Sequence, residues 1–342
     1  MVSVKDFTDY GFDFASCRMI SNDDYETLKR NGCVPQIDDI LIGKDGARFF
    51  EDIIIYRQRE KPALLSSIAI LRCDKSKILP DFLYYVLRTP SFRQDVKDNY
   101  GSGSAIPRII LKDFKRMMVS YPSLEKQQAI ISVLTAIDSK IQANTEINDN
   151  LELQAQAIYS YMFIENADPA WVQGHLSDLI TVKYGKDHKK LADGSYPVYG
   201  SGGIMRYVER PLYDKESVLI PRKGTLNNVM YVNQPFWSVD TMFYTEMRLP
   251  NVAKFVYHFV KAKNLASMNA GSAVPSMTTD ILNAMEVVIP STSALAEFES
   301  LVDPMYRAMQ ENNIQSSKLS ELRDALLPRL MSGEIDVSDI QL

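Results

Sequence analysis

Two stretches in the second half of the chain carry residue types suited to nucleic acid. Lys183, Lys186, Lys189 and Lys190 precede Tyr196-Pro197-Val198-Tyr199-Gly200-Ser201-Gly202-Gly203. The glycines let backbone amides approach a phosphate, and the lysines supply charge that releases counterions. Further on, Arg222-Lys223-Gly224-Thr225 followed by Asn227-Asn228 offers an arginine for guanine and asparagines for adenine edges. The matching loop of the first half is Lys44-Asp45-Gly46-Ala47-Arg48. Taken singly, each signal has a plainer reading. A lysine-rich stretch is more often a solvated face, and a glycine-rich loop is usually a turn. Recurrence in both halves is what makes them candidates. The DNA-contact candidates are Lys44 and Arg48 in the first half. In the second they are Lys186, Lys189, Lys190, Tyr199, Ser201, Gly202, Gly203, Arg222, Lys223, Asn227 and Asn228.

Residues for catalysis are missing from the sequence. There is no G-x-x-x-x-G-K-S/T phosphate loop, and the run at Gly200–Gly203 does not match G-x-G-x-x-G. No Asp/Asn/Ser-Pro-Pro-Tyr/Phe tetrapeptide of an adenine methyltransferase is present, and Pro80-Asp81 is not followed by the E-x-K of a restriction-type nuclease. His175, His188 and His258 have no partner at i+4 and no cysteine pair nearby, so no zinc site is expected. Cys17, Cys33 and Cys73 are odd in number and lack C-x-x-C spacing, which reads as ordinary thiols of a cytosolic chain. The first residues show no secretory signal, and no apolar run approaches the roughly 20 residues that span a bilayer.

The elements that must position the candidates come from a repeat. Gly103-Ser104-Ala105-Ile106-Pro107 recurs as Gly271-Ser272-Ala273-Val274-Pro275. Met117, Val119 and Pro122 recur at the same offset as Met285, Val287 and Pro290. Upstream, Phe82-Leu83-Tyr84-Tyr85 resembles Phe255-Val256-Tyr257-His258, and Asp39–Gly46 resembles Ser217–Gly224. Ser217–Pro221, Val229–Val232 and Met242–Glu246 read as short strands; Phe82–Thr89 and Phe255–Lys263 read as helices. Neither half alternates strand and helix as a doubly wound sheet does.

Each copy ends in a long helix with an apolar seam at alternating four-three spacing. The first seam is Ile130, Leu134, Ile137, Ile141, Asn144, Asn148, Leu151, Ala155, Ile158 and Met162. The second is Phe298, Val302, Met305, Met309, Asn312, Ser316, Leu319, Arg323, Leu326 and Leu330, and both have polar centres. Pairing them antiparallel gives a pseudo-two-fold arrangement of two modules on a two-helix rod; packing of each helix only on its own module is the alternative. Pro304 is expected to kink the second helix or mark a late start, with Pro328 similarly placed near its end.

The chain has 342 residues, 46% hydrophobic and 24% charged, which suits two or more globular domains and excludes global disorder. The net charge of −5 hides a division. Residues 171–270 carry 13 Lys and Arg against 8 Asp and Glu, whereas 271–342 carry 4 against 11. A basic segment thus precedes an acidic helical tail.

The carboxyl end, Leu322-Arg323-Asp324-Ala325-Leu326-Leu327-Pro328-Arg329-Leu330-Met331-Ser332-Gly333-Glu334-Ile335, resembles the closing signature of type I restriction–modification specificity (S) subunits. Gly103–Pro107 with Pro122–Gln128, Trp171 to Gly185, and Tyr196 to Gly203 are similar to other stretches typical of that family. The resemblance covers nearly the whole chain. Its closing signature is specific, and its glycine-containing loops are not.

The resemblance implies an α+β fold of two mixed α/β target-recognition domains separated by a long antiparallel two-helix coiled coil, with a pseudo-two-fold internal repeat. The implied boundaries are 1–105 for the first recognition domain and 106–170 for the first conserved region with its long helix. The second pair is 171–272 and 273–342. Each domain would read one half of a bipartite double-stranded DNA target, and the coiled coil would set the unread gap. Two modification subunits would dock on the helical regions, bring S-adenosylmethionine and methylate adenine N6 on an extracted base. Two restriction subunits, with ATP and Mg, would complete a translocating nuclease. The chain itself would be cytoplasmic and non-catalytic, with no cofactor of its own, and its acidic tail would face protein. Trp171-Val172-Gln173-Gly174-His175-Leu176-Ser177-Asp178-Leu179 opens the second domain, and the first half shows no equivalent, so its domain is expected to be short, divergent or truncated at its start. That feature favours a silent or regulatory relative as the alternative. An autonomous methyltransferase or nuclease would need a cofactor site that the sequence does not show.

Overall fold

The computed structural model describes residues 1–8, 11–15, 17–101, 107–268 and 276–335. The chain forms two compact units, Met1–Asn144 with Ile314–Leu342, and Thr145–Asn313.

In the first unit β1 (Phe7–Thr8) pairs with β2 (Gly11–Phe12), and α1 (Asn22–Arg30) follows. A three-stranded antiparallel sheet comes next, with β3 (Ile40–Gly43) between β4 (Ile53–Ile55) and β5 (Ile68–Leu71). Then come α2 (Pro80–Arg88), α3 (Pro90–Asn99), α4 (Leu111–Phe114) and the first part of α5 (Leu124–Ser160). Alternation along β3 sends Ile40 and Ile42 into one core with Phe50, Leu83 and Val96, and Leu41 into another with Val2, Phe12 and Tyr56. Both faces of this strand are therefore buried. Thr89 separates α2 from α3: its hydroxyl accepts from Phe92 N at 3.3 Å, and Pro90 stands at the first turn of α3.

The second unit holds β6 (Val172–His175), α6 (Leu176–Leu179), β7 (Ile180–Tyr184), β8 (Asp193–Gly200) and β9 (Gly203–Val208). These are followed by β10 (Ser217–Pro221), β11 (Met230–Val232), β12 (Trp237–Ser238), β13 (Met242–Met247) and α7 (Ala253–Lys261). The last elements are α8 (Thr279–Asn283), β14 (Glu286–Ile289) and α9 (Thr292–Met331), whose final segment belongs to the first unit. The strands form sheets of order β11-β10-β13-β7, β12-β8-β9 and β14-β6. The three strands and two helices read from the sequence lie within two residues of these bounds.

The repeat is present in the hydrogen bonding. After β3, Lys44 O accepts from Ile109 N at 2.9 Å; after β10, Arg222 O accepts from Met277 N at 2.9 Å. Asp45 bridges Arg108 as Lys223 bridges Ser276. Gly46 and Gly224 turn the two loops with φ of 96° and 86°, a region in which a side chain is strained. The Gly-Ser-Ala elements that drew attention to the repeat lie, at 103–106 and 271–275, outside the described residues.

The opening of the first half carries a turn that the sequence reading did not match to the second half. Ser3 N donates to the Asp6 carboxylate at 2.7 Å, and His175 N donates to that of Asp178 at 2.8 Å. The same capping turn thus stands at the start of each half, on the patterns Ser3-x-x-Asp6 and His175-x-x-Asp178. Serine and histidine share little chemistry, so similarity of side chains did not disclose a turn that depends on the aspartate.

Segments of α5 and α9 pack antiparallel within each unit. In the first, Ile130, Ile131 and Leu134 meet Leu327 and Leu330, Asp138 pairs with Arg323 at 2.8 Å, and Asn144 donates to Gln315 at 2.8 Å. In the second, Asn312 donates to Asn148 at 2.9 Å, and the rings of Tyr159 and Phe298 meet at 6.2 Å. No seam residue is exposed. Pro304 does not mark a late start, since α9 begins at Thr292 and runs unbroken past both prolines. Its side chain is exposed, and without an N–H it makes no bond back to the Ser300 carbonyl.

Both units dock the helix after the sheet onto a long helix at matching positions. Tyr85 on α2 donates to Asp138 at 2.7 Å, and His258 on α7 meets Tyr306 at 2.9 Å. Burial pushes His258 down to about 4, beyond what the opposing effect of Glu152 restores. Above its ordinary value of 6.5 the imidazole is neutral in both folded and unfolded chains and adds no pH dependence. Between 6.5 and about 4 only the unfolded chain takes up the proton, so stability falls as the pH falls. The loss amounts to about 3 kcal/mol for a shift of this size. Urea denaturation from pH 7.5 to 4.5 should show it. His258→Gln should flatten that part of the profile, and an unchanged slope would contradict the assignment.

Candidate nucleic-acid interface

The basic segment of the second unit is brought together by backbone bonds around residues 237–242. Lys186 N donates to Ser238 O at 2.8 Å, and the indole of Trp237 donates to Lys186 O at 2.8 Å. Gly185 N donates to Met242 O at 3.0 Å, and Arg222 N to Thr241 O at 2.9 Å. A Cβ at Gly185 would stand 2.0 Å from Val239 O, so only glycine allows this approach. Val239 N donates to Tyr199 O at 3.1 Å, which ties β8 to the same centre.

Three loops therefore meet here: Tyr184–Lys190, Ser201–Gly203 and Arg222–Asn228. Ser201 and Gly202 form the two-residue turn of the β8–β9 hairpin, in which Gly200 pairs with Gly203. Asn228 spends its amide on Ser201 O at 2.8 Å, clasping that turn to the third loop. Asn227 accepts from Ala266 N at 3.0 Å and so fixes the stretch after α7. Both asparagines hold the loops in place as the chain stands. Tyr199 is likewise tied inward, its hydroxyl accepting from Gln234 at 3.3 Å and its phenol pushed up by burial.

Lys186, Lys189, Lys190 and Lys223 are exposed, and no carboxylate of the described residues lies within salt-bridge distance of them. Lys183 is paired with Glu246 at 3.5 Å. Arg222 stacks over Tyr184 at 5.3 Å and donates to Asp240 O at 3.2 Å, which fixes its guanidinium on the surface of this unit. Tyr184 itself is 52% exposed, and Met205 and Tyr207 on β9 are 60% and 47% exposed. The sequence reading missed these three. Met205 and Tyr207, two apart on β9, carry a period-two signal, and Tyr184 carries none.

The first-half candidates sit differently. Lys44 is mostly buried and pairs with Asp45 at 3.0 Å; Arg48 pairs with Asp52 at 2.8 Å. Thus Lys44 and Asp45 form an ion pair where the corresponding residues, Arg222 and Lys223, are both cationic.

Among the described residues no group of three or more His, Cys, Asp or Glu could hold a metal ion. Burial pushes the Cys73 thiol up to about 11, which leaves it a poor nucleophile at neutral pH. No helix among the described residues is long and apolar enough to cross a membrane.

The family model for the type I restriction modification DNA specificity domain matches this chain twice, over residues 3–153 and 170–311. The chain belongs to that family. The two matches begin beside the two capping turns, at Ser3 and at Ala170. The chain is similar to the type I restriction enzyme MjaIX specificity subunit of Methanocaldococcus jannaschii, at 23% identity over 78% of this chain and 71% of that protein. It is similar to the HindI specificity subunit of Haemophilus influenzae at 22% identity, over 78% and 80% of the two chains. The crystal structure of the S subunit of a type I restriction–modification system from M. genitalium superposes with a TM-score of 0.53 at 19% identity, over 86% of this chain and 82% of that one. That likeness shows the shared fold.

Exposed lysines that face a duplex act on it through charge alone. Lys190→Ala and Lys223→Ala should each weaken duplex binding for all sequences alike and reduce the slope of log K against log salt by about 1. Both should leave the unfolding free energy within about 0.5 kcal/mol. Titration at several salt concentrations decides; an unchanged slope would remove either lysine from the interface.

Proposed function

We propose that this chain is the DNA sequence-specificity subunit of a type I restriction–modification complex, reading a bipartite target with one recognition module per half. The observation that carries the reading is the family match in both halves, together with the loop that recurs after β3 and β10 in the same backbone frame. The chain acts in the cytoplasm and carries out no reaction itself. Two modification subunits dock on the helical regions and supply S-adenosylmethionine for adenine N6 methylation; two restriction subunits, with ATP and Mg, convert the assembly to an endonuclease. The acidic segment 271–342 faces these protein partners.

Within the second module, Lys186, Lys189, Lys190 and Lys223 neutralise backbone phosphates, which positions the protein on the duplex without reading it. Arg222, braced by Tyr184, is the residue placed to read a guanine edge. Ser201, Gly202 and Gly203 bring backbone amides to the same face, and Tyr199, Asn227 and Asn228 support them. In the first module Lys44 and Arg48 must exchange their present carboxylate partners for DNA before they contribute.

That last point favours a second reading, a silent or regulatory relative that occupies its partners without productive reading by the first half. Mapping methyladenine by single-molecule sequencing separates the two. The chain would be co-expressed with its neighbouring modification subunit in a host lacking both. An asymmetric bipartite motif that vanishes without this chain is the expected result. A symmetric motif would mean one working half acting in a dimer, and no motif despite complex formation would favour the silent relative.

A further inference from the structure

The first unit contains a cleft of about 870 Å3, walled by β4, α2 and segments of the two long helices that belong to that unit. Register identifies what occupies the corresponding place in the second unit. Ile55, which pairs with Ile40, corresponds to Tyr231, which pairs with Val218. Asp81 and Asp138 correspond to Lys254 and Tyr306. In the second unit these residues fill the space. The Tyr231 and Tyr306 rings lie 4.9 Å apart, and the buried Lys254 ammonium stands 5.3 and 5.5 Å from them, bonded to Glu299 and Asp303. Among its described residues the first unit has no such plug.

The charges in the cleft are unevenly satisfied. Arg48, Arg57 and Arg323 are each within 2.8 Å of a carboxylate, from Asp52, Asp81 and Asp138. Arg88 and Arg93 also line the cleft, and neither forms an ion pair with a described residue. Arg88 lies over the Tyr84 ring at 4.9 Å and donates to its hydroxyl. Arg93 donates to Glu51 O at 3.2 Å, and its Nε is buried without a partner among the described residues. Burial first and the neighbouring Arg88 charge second push Arg93 down, beyond what the opposing effects of Glu51, Tyr84 and Asp324 restore.

The geometry points to this cleft as a binding site for a small phosphate ester, with Arg88 and Arg93 as donors to the phosphate. A carboxylate would neutralise one guanidinium, whereas a phosphate dianion answers both and accepts several charge-assisted bonds. The volume falls within the range of small-molecule sites and leaves room beyond the phosphate for the rest of the ester. Binding here needs no DNA, and Arg88 and Arg93 are not among the DNA-contact candidates, although Arg48, which is, also lines the cleft.

Calorimetry on the full chain at low salt tests the site, with AMP, inorganic phosphate and adenosine as probes. AMP and phosphate should bind at about 1 mM or tighter, and adenosine should not. Arg88→Gln and Arg93→Gln should each weaken AMP roughly tenfold or more, and Lys140→Gln, on the exposed face of α5, should change nothing. Ile55→Tyr covers the case in which an arginine variant misfolds. It introduces the side chain found at the corresponding position of the second unit and should abolish binding with both arginines intact. Absence of AMP and phosphate binding, equal binding of adenosine, or insensitivity to Ile55→Tyr would each overturn the assignment. Displacement of AMP by a short random-sequence duplex would also overturn it, by giving the arginines to DNA.

Discussion

Inside each compact unit a segment of α5 runs antiparallel to a segment of α9, and each pairing carries bonded amide side chains, buried at Asn144 and half-buried at Asn148 and Asn312. Asn144 is fully buried and donates to Gln315 and Ser316; Asn148 donates to Asn313 and accepts from Asn312. Apolar contacts alone would tolerate a slip of one helical turn. An amide left facing a leucine would not, because an unsatisfied buried polar group costs about 1–3 kcal/mol. The polar residues therefore fix register at some expense in stability. One further helix of each unit docks on this pair: α2 on α5 through Tyr85 and Asp138, α7 on α9 through His258 and Tyr306.

Duplication supplies the second constraint. A central strand, a glycine turn and a return bond from a segment that follows the helix recur in both halves with the same donors and acceptors. The frame is shared and the contents have diverged. One loop carries Arg222 and Lys223, the other a lysine already paired with its neighbouring aspartate. One unit is plugged by Tyr231, Tyr306 and Lys254, and the other is open where Ile55, Asp138 and Asp81 stand. Backbone bonds do not depend on side chains, so such a frame can keep its shape while each copy takes its own surface.

Much of this was legible before the structure. The seam could be read because four-three spacing is a direct consequence of helix geometry, and every residue named on it is buried or half-buried. The strands Ser217–Pro221 and Met242–Met247 could be read because an apolar run between turn residues has few other uses. What could not be read were relations between distant side chains. Asn227 and Asn228 looked like base readers, and only the fold shows their amides spent on Ser201 and Ala266. Arg48 looked free until folding placed it beside Asp52. The capping turn at Ser3 was hidden because its partner in the repeat begins with histidine. Tyr184 lay in plain view, and nothing in its neighbours indicated that Arg222 would stack on it.

On the proposed function, two modules each read one half-site and the long helices set the gap between the half-sites. Matched insertions of four residues, one after Asn144 in α5 and one before Gln315 in α9, would lengthen the pair by about 6 Å and leave both modules untouched. Mapping the methylated motif of this variant beside that of the parent tests the claim most directly. The account predicts the same two half-sites with a longer gap between them. Altered half-sites, or an unchanged gap in an active complex, would contradict it.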